Sequence, residues 1–408
     1  MARSHNKNLD GFFLTPSFFA DPYPFYHQLR TEAPVHWSER LNAWLLTRYD
    51  DVKSCLNDPR LNSGDRIVSL MERLPPTSRA RFEPLLAHLN NMMSFRDPPD
   101  HTRLRRLSGP AFTPRVMNNL KPKIQAIVDE LLNDLANKGQ FDLVNDFAFH
   151  LPAIVICEML GIPRDDRNKM KCWSNDILGF LSAGAVTTET AEHAQEAVFA
   201  ATAYLQRLVD DRRLCSQDDL MSVLIVAEDE DDKLDGSELI ALIVQLFSAG
   251  FETTEGLIGN GMLALLQHPD QLQLLRENPS LIETAVEEFL RFDNSVQRQA
   301  RVSNEDMELR GQRIRAGEYL ALLIGAANRD PAQFPNPDRL DIARQENKHV
   351  SFGHGIHFCL GGPLARIETQ IAFNAILHRM PNIQLADHEP EFTQLVALRK
   401  LKSLPVTI

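Results

Sequence analysis

Residues 237–267 read as one long helix, and its burial is the strongest constraint on how this chain can fold. At ~1.5 Å per residue the helix would span roughly 45 Å. Asp235 or Ser237 suits the N-cap, and Pro269 lies just past the end. The stretch 239–247 is apolar almost all round, so other elements must cover it. Then Ala249-Gly250-Phe251-Glu252-Thr253-Thr254 interrupts the apolar run. A mid-helix glycine costs about 1 kcal/mol against alanine. Threonine hydroxyls can bond back to the carbonyl four residues earlier, bend the helix and open its ladder to water. A satisfied buried acid with capping threonines is one reading of this string; a functional polar notch is the other.

A second feature is Phe352-Gly353-His354-Gly355-Ile356-His357-Phe358-Cys359-Leu360-Gly361, directly before an apolar helical pattern over 360–380. Glycine at 353 and 355 permits a tight turn with positive φ and close backbone approach. Such a turn can aim amide N–H groups at sulfur, and a helix start adds its positive dipole end. Both favour thiolate over thiol. A lone cysteine is usually a small buried hydrophobe. His354, His357 and Cys359 suggest zinc, but a structural zinc site takes four ligands and the other cysteines are remote in sequence. A thiol nucleophile needs a base and an orienting group, which glycine and phenylalanine do not supply.

The ten-residue string resembles the haem-binding signature of the cytochromes P450, Phe-Gly-x-Gly-x-His-x-Cys-x-Gly, at all six of its fixed positions. The resemblance runs from about residue 21 to the C-terminus. It implies a mainly α, single-domain cytochrome P450 fold with a minor β-sheet. Residues 1–20 would be an N-terminal extension and 21–408 the catalytic domain. It implies heme b (iron protoporphyrin IX) with Cys359 as thiolate ligand and Phe352 against it. The helix interruption resembles the family's oxygen-activation motif, Ala-Gly-x-(Asp/Glu)-Thr-(Thr/Ser). Glu252 and Thr253 then fall on positions that deliver two protons to dioxygen, and Gly250 leaves room for it.

Three further segments match. Asp97-Pro98-Pro99-Asp100-His101-Thr102-Arg103-Leu104-Arg105 begins a helix with His101 and Arg105 on one face. In the family these two bind haem propionates. Arg301 resembles a third propionate ligand and His357 a fourth; a bidentate arginine suits a carboxylate. Glu288-Phe289-Leu290-Arg291 matches the family's structural Glu-x-x-Arg, whose partner arginine is Arg339 or Arg344. One departure stands out. Members of this type often carry proline before Val-Gln, and Ser295 stands there, after Asp293-Asn294.

Composition bounds the rest. With 43 Lys+Arg against 55 Asp+Glu, nucleic acid is not the expected main partner. The acidic run 228–232 reads as a solvated loop. Five cysteines without a C-x-x-C suit a reducing cytosol. No signal-peptide core and no window of roughly 18 apolar residues occurs, so a cytoplasmic protein with no membrane partner is expected. Helical periodicity marks 26–30, 116–136, 191–211, 271–277 and 281–292. Val35-His36-Trp37 can pair with Trp44-Leu45-Leu46-Thr47 across Asn42. Glu308-Leu309, Ile314-Arg315 and Tyr319-Leu320-Ala321-Leu322 are expected in the same sheet. Residues 63–91 read as a long, proline-containing mobile loop.

The segments that line the family's substrate pocket would be 71–93, 173–188, 242–252, 294–297 and 395–398. They are rich in Leu, Met and Phe, which suits an apolar small molecule such as a secondary metabolite. Lacking a reductase, the chain would need ferredoxin or flavodoxin with its reductase, docking on Arg103, Arg106 and Lys348. Competing readings are a haem-thiolate peroxygenase or isomerase needing no electron partner, and a non-enzymatic haem sensor. Glu252 and Thr253 argue against both.

Overall fold

The computed structural model describes residues 7–182, 186–226, 234–386 and 389–408. The acidic run 228–232 and part of the expected pocket segment 173–188 lie outside them. The chain gathers into two compact units. One comprises 1–62, 124–150 and 253–408; the other comprises 63–123 and 151–252.

The first unit holds the sheets. Its five-stranded sheet runs in the order Val35–Ser38, Ala43–Leu46, Tyr319–Leu323, Arg298–Ser303, Leu61–Asn62. The first two strands form the expected hairpin, with Trp37 opposite Trp44. Asn42, with φ of 46°, turns the chain into the second strand. Tyr319–Leu323 joins Ala43–Leu46 in parallel, as expected of that segment. Met307–Leu309 and Gln312–Ile314 do not join; they pair with each other as a separate ribbon. Arg310 and Gly311, with φ of 50° and 76°, make a two-residue connection in the left-handed region, which closes a hairpin on itself. Arg298–Ser303 was not expected as a strand, and it carries Arg301 opposite Leu320. The helices Ile282–Phe292 and Gly362–Arg379 pack together in this unit.

The second unit is helical among its described residues. Residues 63–91 are not a loop. They form helices Asp65–Met71, Pro76–Arg79 and Glu83–Asn90. Pro76 and Pro84 fall in first turns, where the missing N–H has no helical partner to lose. Leu85 and Leu89 are fully buried, so the segment is anchored by its apolar face. Arg167–Ser182 packs on Thr188–Leu214, which begins in a capping box between Thr187 and Thr190.

One helix, Gly236–Gln267, continues from the second unit into the first. Asp235 is its cap: Oδ1 accepts from the amides of Ser237 (2.7 Å) and Glu238 (2.8 Å). Among the described residues no helix is long and apolar enough to cross a membrane.

Candidate haem-thiolate site

In the first unit, the cysteine loop is a folded turn. The Gly353 amide donates to Val350 O (2.9 Å), the Phe358 amide to Gly355 O (3.0 Å), and the Cys359 amide to Phe352 O (2.8 Å). Gly353 and Gly355 have φ of 73° and 72°, where side chains are strained. At Gly355 a Cβ would also meet Asn57 Oδ1 at 2.3 Å, so this glycine is required twice over. The helix Gly362–Arg379 starts three residues after the cysteine, with Pro363 in its first turn. Cys359 is half-buried, unlike the fully buried Cys55 and Cys157. Burial pushes both of those thiols up to about 12.

The loop is braced from behind. Phe352 is buried, with the Arg366 guanidinium 4.4 Å from its ring centroid. Arg366 grips Glu287 in bidentate fashion (2.6 and 2.9 Å), and His349 Nε2 lies 3.2 Å from the same carboxylate. Burial opposes the Glu287 charge, but these hydrogen bonds prevail and hold its pKa at about 2. Nothing in the sequence flagged this bracket; the one available signal was that Glu287 adjoins Glu288 on a buried helix.

Glu288 and Arg291, both fully buried, form the expected pair through two 2.8 Å bonds. The arginine left open by sequence is Arg344, whose Nε donates to Glu288 Oε2 (3.1 Å). Arg339 contributes only its carbonyl, to Arg291 Nη2 (3.1 Å). Asn347 Nδ2 and the Asp341 amide complete the carboxylate. Asn328 carries this order to the loop. Its Nδ2 donates to Ser351 Oγ (2.7 Å) and its Oδ1 accepts from the Val350 amide (2.9 Å).

The long helix shows where its notch faces. Between 238 and 265 every residue is buried except Gln245, Ala249, Gly250 and Thr253. Spacings of four put Gln245, Ala249 and Thr253 on one stripe. Glu252, 3% exposed, stands beside it. A Cβ on Gly250 would make only ordinary contact with Ile156, at 3.5 Å.

The anion-binding candidates are placed in both units. In the first, Arg301 is 2% exposed and its Nη1 donates to Ala300 O (2.8 Å). Its Nη2 is a buried atom with no hydrogen-bond partner, as is Nε2 of the half-buried His357. In the second, His101 is 2% exposed and its Nδ1 is a third such atom. Arg105, half-buried, follows it by one turn on Asp100–Ser108. Each of these residues also takes part in a further interaction. Guanidinium and imidazole groups of this kind are chemically suited to propionate oxygens. Arg103, expected in the docking patch, is held by Glu238 in a bidentate pair, one bond being 3.0 Å. Arg106 and Lys348 are exposed.

Residues 75–399 match the family model described as Cytochrome P450. The chain belongs to the cytochrome P450 family. It is 42% identical over 395 residues to a biotin biosynthesis cytochrome P450 of Bacillus subtilis (strain 168), covering 96% of this chain and 97% of that one. It is 44% identical over 398 residues to a vitamin D(3) 25-hydroxylase of Pseudonocardia autotrophica, covering 96% and 95%. A crystal structure of P450BioI in complex with a hexadec-9Z-enoic acid ligated acyl carrier protein superposes with a TM-score of 0.90. It is 40% identical and covers 96% of this chain and 99% of that one. This P450 is therefore a mainly α haem enzyme, a monooxygenase with heme b as its cofactor.

Proposed function

We propose that this P450 inserts one oxygen atom of O2 into an apolar small molecule, by hydroxylation or epoxidation, in secondary metabolism. In hydroxylation one oxygen atom enters a C–H bond and the other leaves as water. Two electrons and two protons are consumed. Ferredoxin or flavodoxin with its reductase would supply the electrons, in the cytoplasm. Residues 21–408 would act as one catalytic domain, with 1–20 as an extension.

Bound haem supplies the iron at which dioxygen is reduced and cleaved. Cys359 would hold that iron as thiolate, in the turn that Gly353 and Gly355 make possible, with Phe352 packed against the ligand. Arg301 and His357, and His101 and Arg105, would each hold propionate oxygens by charge-assisted bonds. Thr253 would donate a hydrogen bond at the reacting oxygen, and Glu252 would pass protons to it through water. Gly250 would leave the space in which this happens.

The observation that carries the reading is the accessible stripe ending at Thr253 on an otherwise buried helix. The acid–alcohol pair argues against a peroxygenase, an isomerase or a sensor, which deliver no protons to dioxygen.

Thr253→Ala should keep haem and substrate binding but send electrons to hydrogen peroxide. Glu252→Gln should slow turnover more than it changes substrate affinity. Unchanged rate and coupling in both variants would sink the relay. For the ligand, reduced protein under carbon monoxide should show the strongly red-shifted Soret band of a thiolate. Cys359→Ser should lose it; a histidine-type wild-type spectrum would refute Cys359.

A further inference from the structure

Ser295, where members of this type often carry proline, makes a contact that the site has so far left unused. It is 3% exposed, and its Oγ donates to the carbonyl oxygen of Thr253 at 2.8 Å, an ordinary length for a hydroxyl donor. In a regular helix that carbonyl accepts from the amide four residues on. A second donor from the side acts on the orientation of this one peptide.

The contact is built into a rigid joint. An added Cβ on Gly256 would lie 2.8 Å from Ser295 Cβ, so glycine is what lets Ser295 reach the helix. Ser295 O accepts from the Arg399 amide (2.8 Å). Asn260 Nδ2 donates to Arg399 O (2.9 Å) and to Asp293 O (3.3 Å). Arg399 Nε closes the joint on Asp293 Oδ1 (2.8 Å). Thr253, Gly256 and Asn260, spaced by three and four, are one face of the helix. The segment 293–295 is thus held at three successive turns, and Ser295 is the member that grips Thr253. Proline has no hydroxyl and could not make this bond.

We infer that Ser295 is a positioning residue for Thr253. By fixing the Thr253 peptide it fixes the Cα–Cβ bond that carries the hydroxyl on the accessible stripe. Ser295 therefore governs how many electrons end in product rather than in peroxide. The inference rests on the relay reading of Thr253.

The test uses full-length, haem-loaded protein with a reducing partner and a substrate found by its spin-state change. It compares Ser295→Ala, Thr253→Ala and the double variant. Peroxide formed per electron pair, substrate dissociation constant, melting temperature and amide exchange over 253–260 are measured for each. Ser295→Ala is expected to raise peroxide by up to about fivefold, the factor one ordinary hydrogen bond is worth. It should speed exchange over 253–260 and raise peroxide by a larger factor than any change in the substrate dissociation constant, which is measured because 294–297 is an expected pocket segment. In the Thr253→Ala background, Ser295→Ala should add no further peroxide, because no hydroxyl remains to be placed. Wild-type coupling and exchange in Ser295→Ala, with peroxide raised in Thr253→Ala, would overturn the role of Ser295 alone. Additive peroxide in the double variant would also overturn it, since Ser295 would then act by another route. Unchanged coupling in Thr253→Ala would overturn the relay first, and this inference with it.

Discussion

Glu288 and Glu252 each sit mid-helix, at 0% and 3% exposure, close in sequence to a polar partner. Around Glu288 the protein closes completely. Two arginines, an asparagine side chain and a backbone amide all donate to its two oxygens. Around Glu252 the helix is unbroken, and Ala249, Gly250 and Thr253 carry accessible surface beside it. A similar sequence signal thus marks a fastening in one place and a proposed reaction site in the other. What separates them is whether the neighbouring positions are buried or accessible.

The comparison breaks most visibly by substitution at its closed end. Glu288→Ala leaves Arg291 and Arg344 buried without their counter-charge, a loss of about 3–5 kcal/mol. Total stability is typically about 5–15 kcal/mol, so the variant should yield little folded, haem-containing protein. Thr253→Ala, on the open stripe, should cost about 1 kcal/mol or less and lose coupling instead. Thermal melts and haem content of the two variants, side by side, decide the matter. Equal destabilisation would erase the distinction.

These two motifs were legible for a physical reason. The cysteine turn needs its glycines and histidine within ten consecutive residues, and the helix notch needs six. Glu288 and Arg291 were visible as a pair because one helical turn joins them. Arg344 could be offered only beside Arg339, on the resemblance, because it lies 56 positions from Glu288 along irregular and folded chain. Ser295 was legible only as a departure; its bond to Thr253 depends on Gly256, which no local pattern connects to it. The segment 63–91 reads as a loop because of its prolines, whereas two of them occupy first turns. Arg298–Ser303 misled in the opposite sense. Its polar residues hid a strand whose neighbours come from residues 61–62 and 319–323.

Glu368 sharpens the comparison as a third buried acid. It is 1% exposed and its Oε2 has no hydrogen-bond partner. Burial alone pushes its pKa up to about 8. The folded state then keeps a proton that the unfolded chain, with its carboxyl near the ordinary value of 4.5, releases. Folded protein binds more protons between about pH 4.5 and 8, so stability falls as pH rises through that window. The slope is at most about 1.4 kcal/mol per pH unit. Glu368→Gln cannot release a proton and should remove this slope. Melts from pH 5 to 8 should show the variant gaining on wild type as pH rises; a pH-independent difference would mean that Glu368 is charged in the fold.

The smallest effect is expected at the surface, where the contrast is between a largely buried pair and exposed charge. Arg103 is tied to buried Glu238, while Arg106 is exposed. Lys348, with 70% of its side chain exposed, lies 4.0 Å from Glu346, whose side chain is 89% exposed. Held charge cannot steer a partner; exposed charge can, chiefly through association rate. Arg106→Glu together with Lys348→Glu should slow reduction by an acidic ferredoxin a few-fold at low salt. The difference should shrink near 0.15 M salt, where the Debye length is about 8 Å. Substrate-induced spectra should stay as in wild type, since neither residue is a proposed haem ligand or lies in a proposed pocket segment. The matched control is Arg103→Gln, which should change melting temperature and leave the salt dependence of reduction alone. If the double variant is reduced at the wild-type rate across the salt range, Arg106 and Lys348 are ordinary solvated charges and docking lies elsewhere. If Arg103→Gln instead abolishes the salt dependence, the pair with Glu238 opens in solution, and the division between held and open charge fails at that residue.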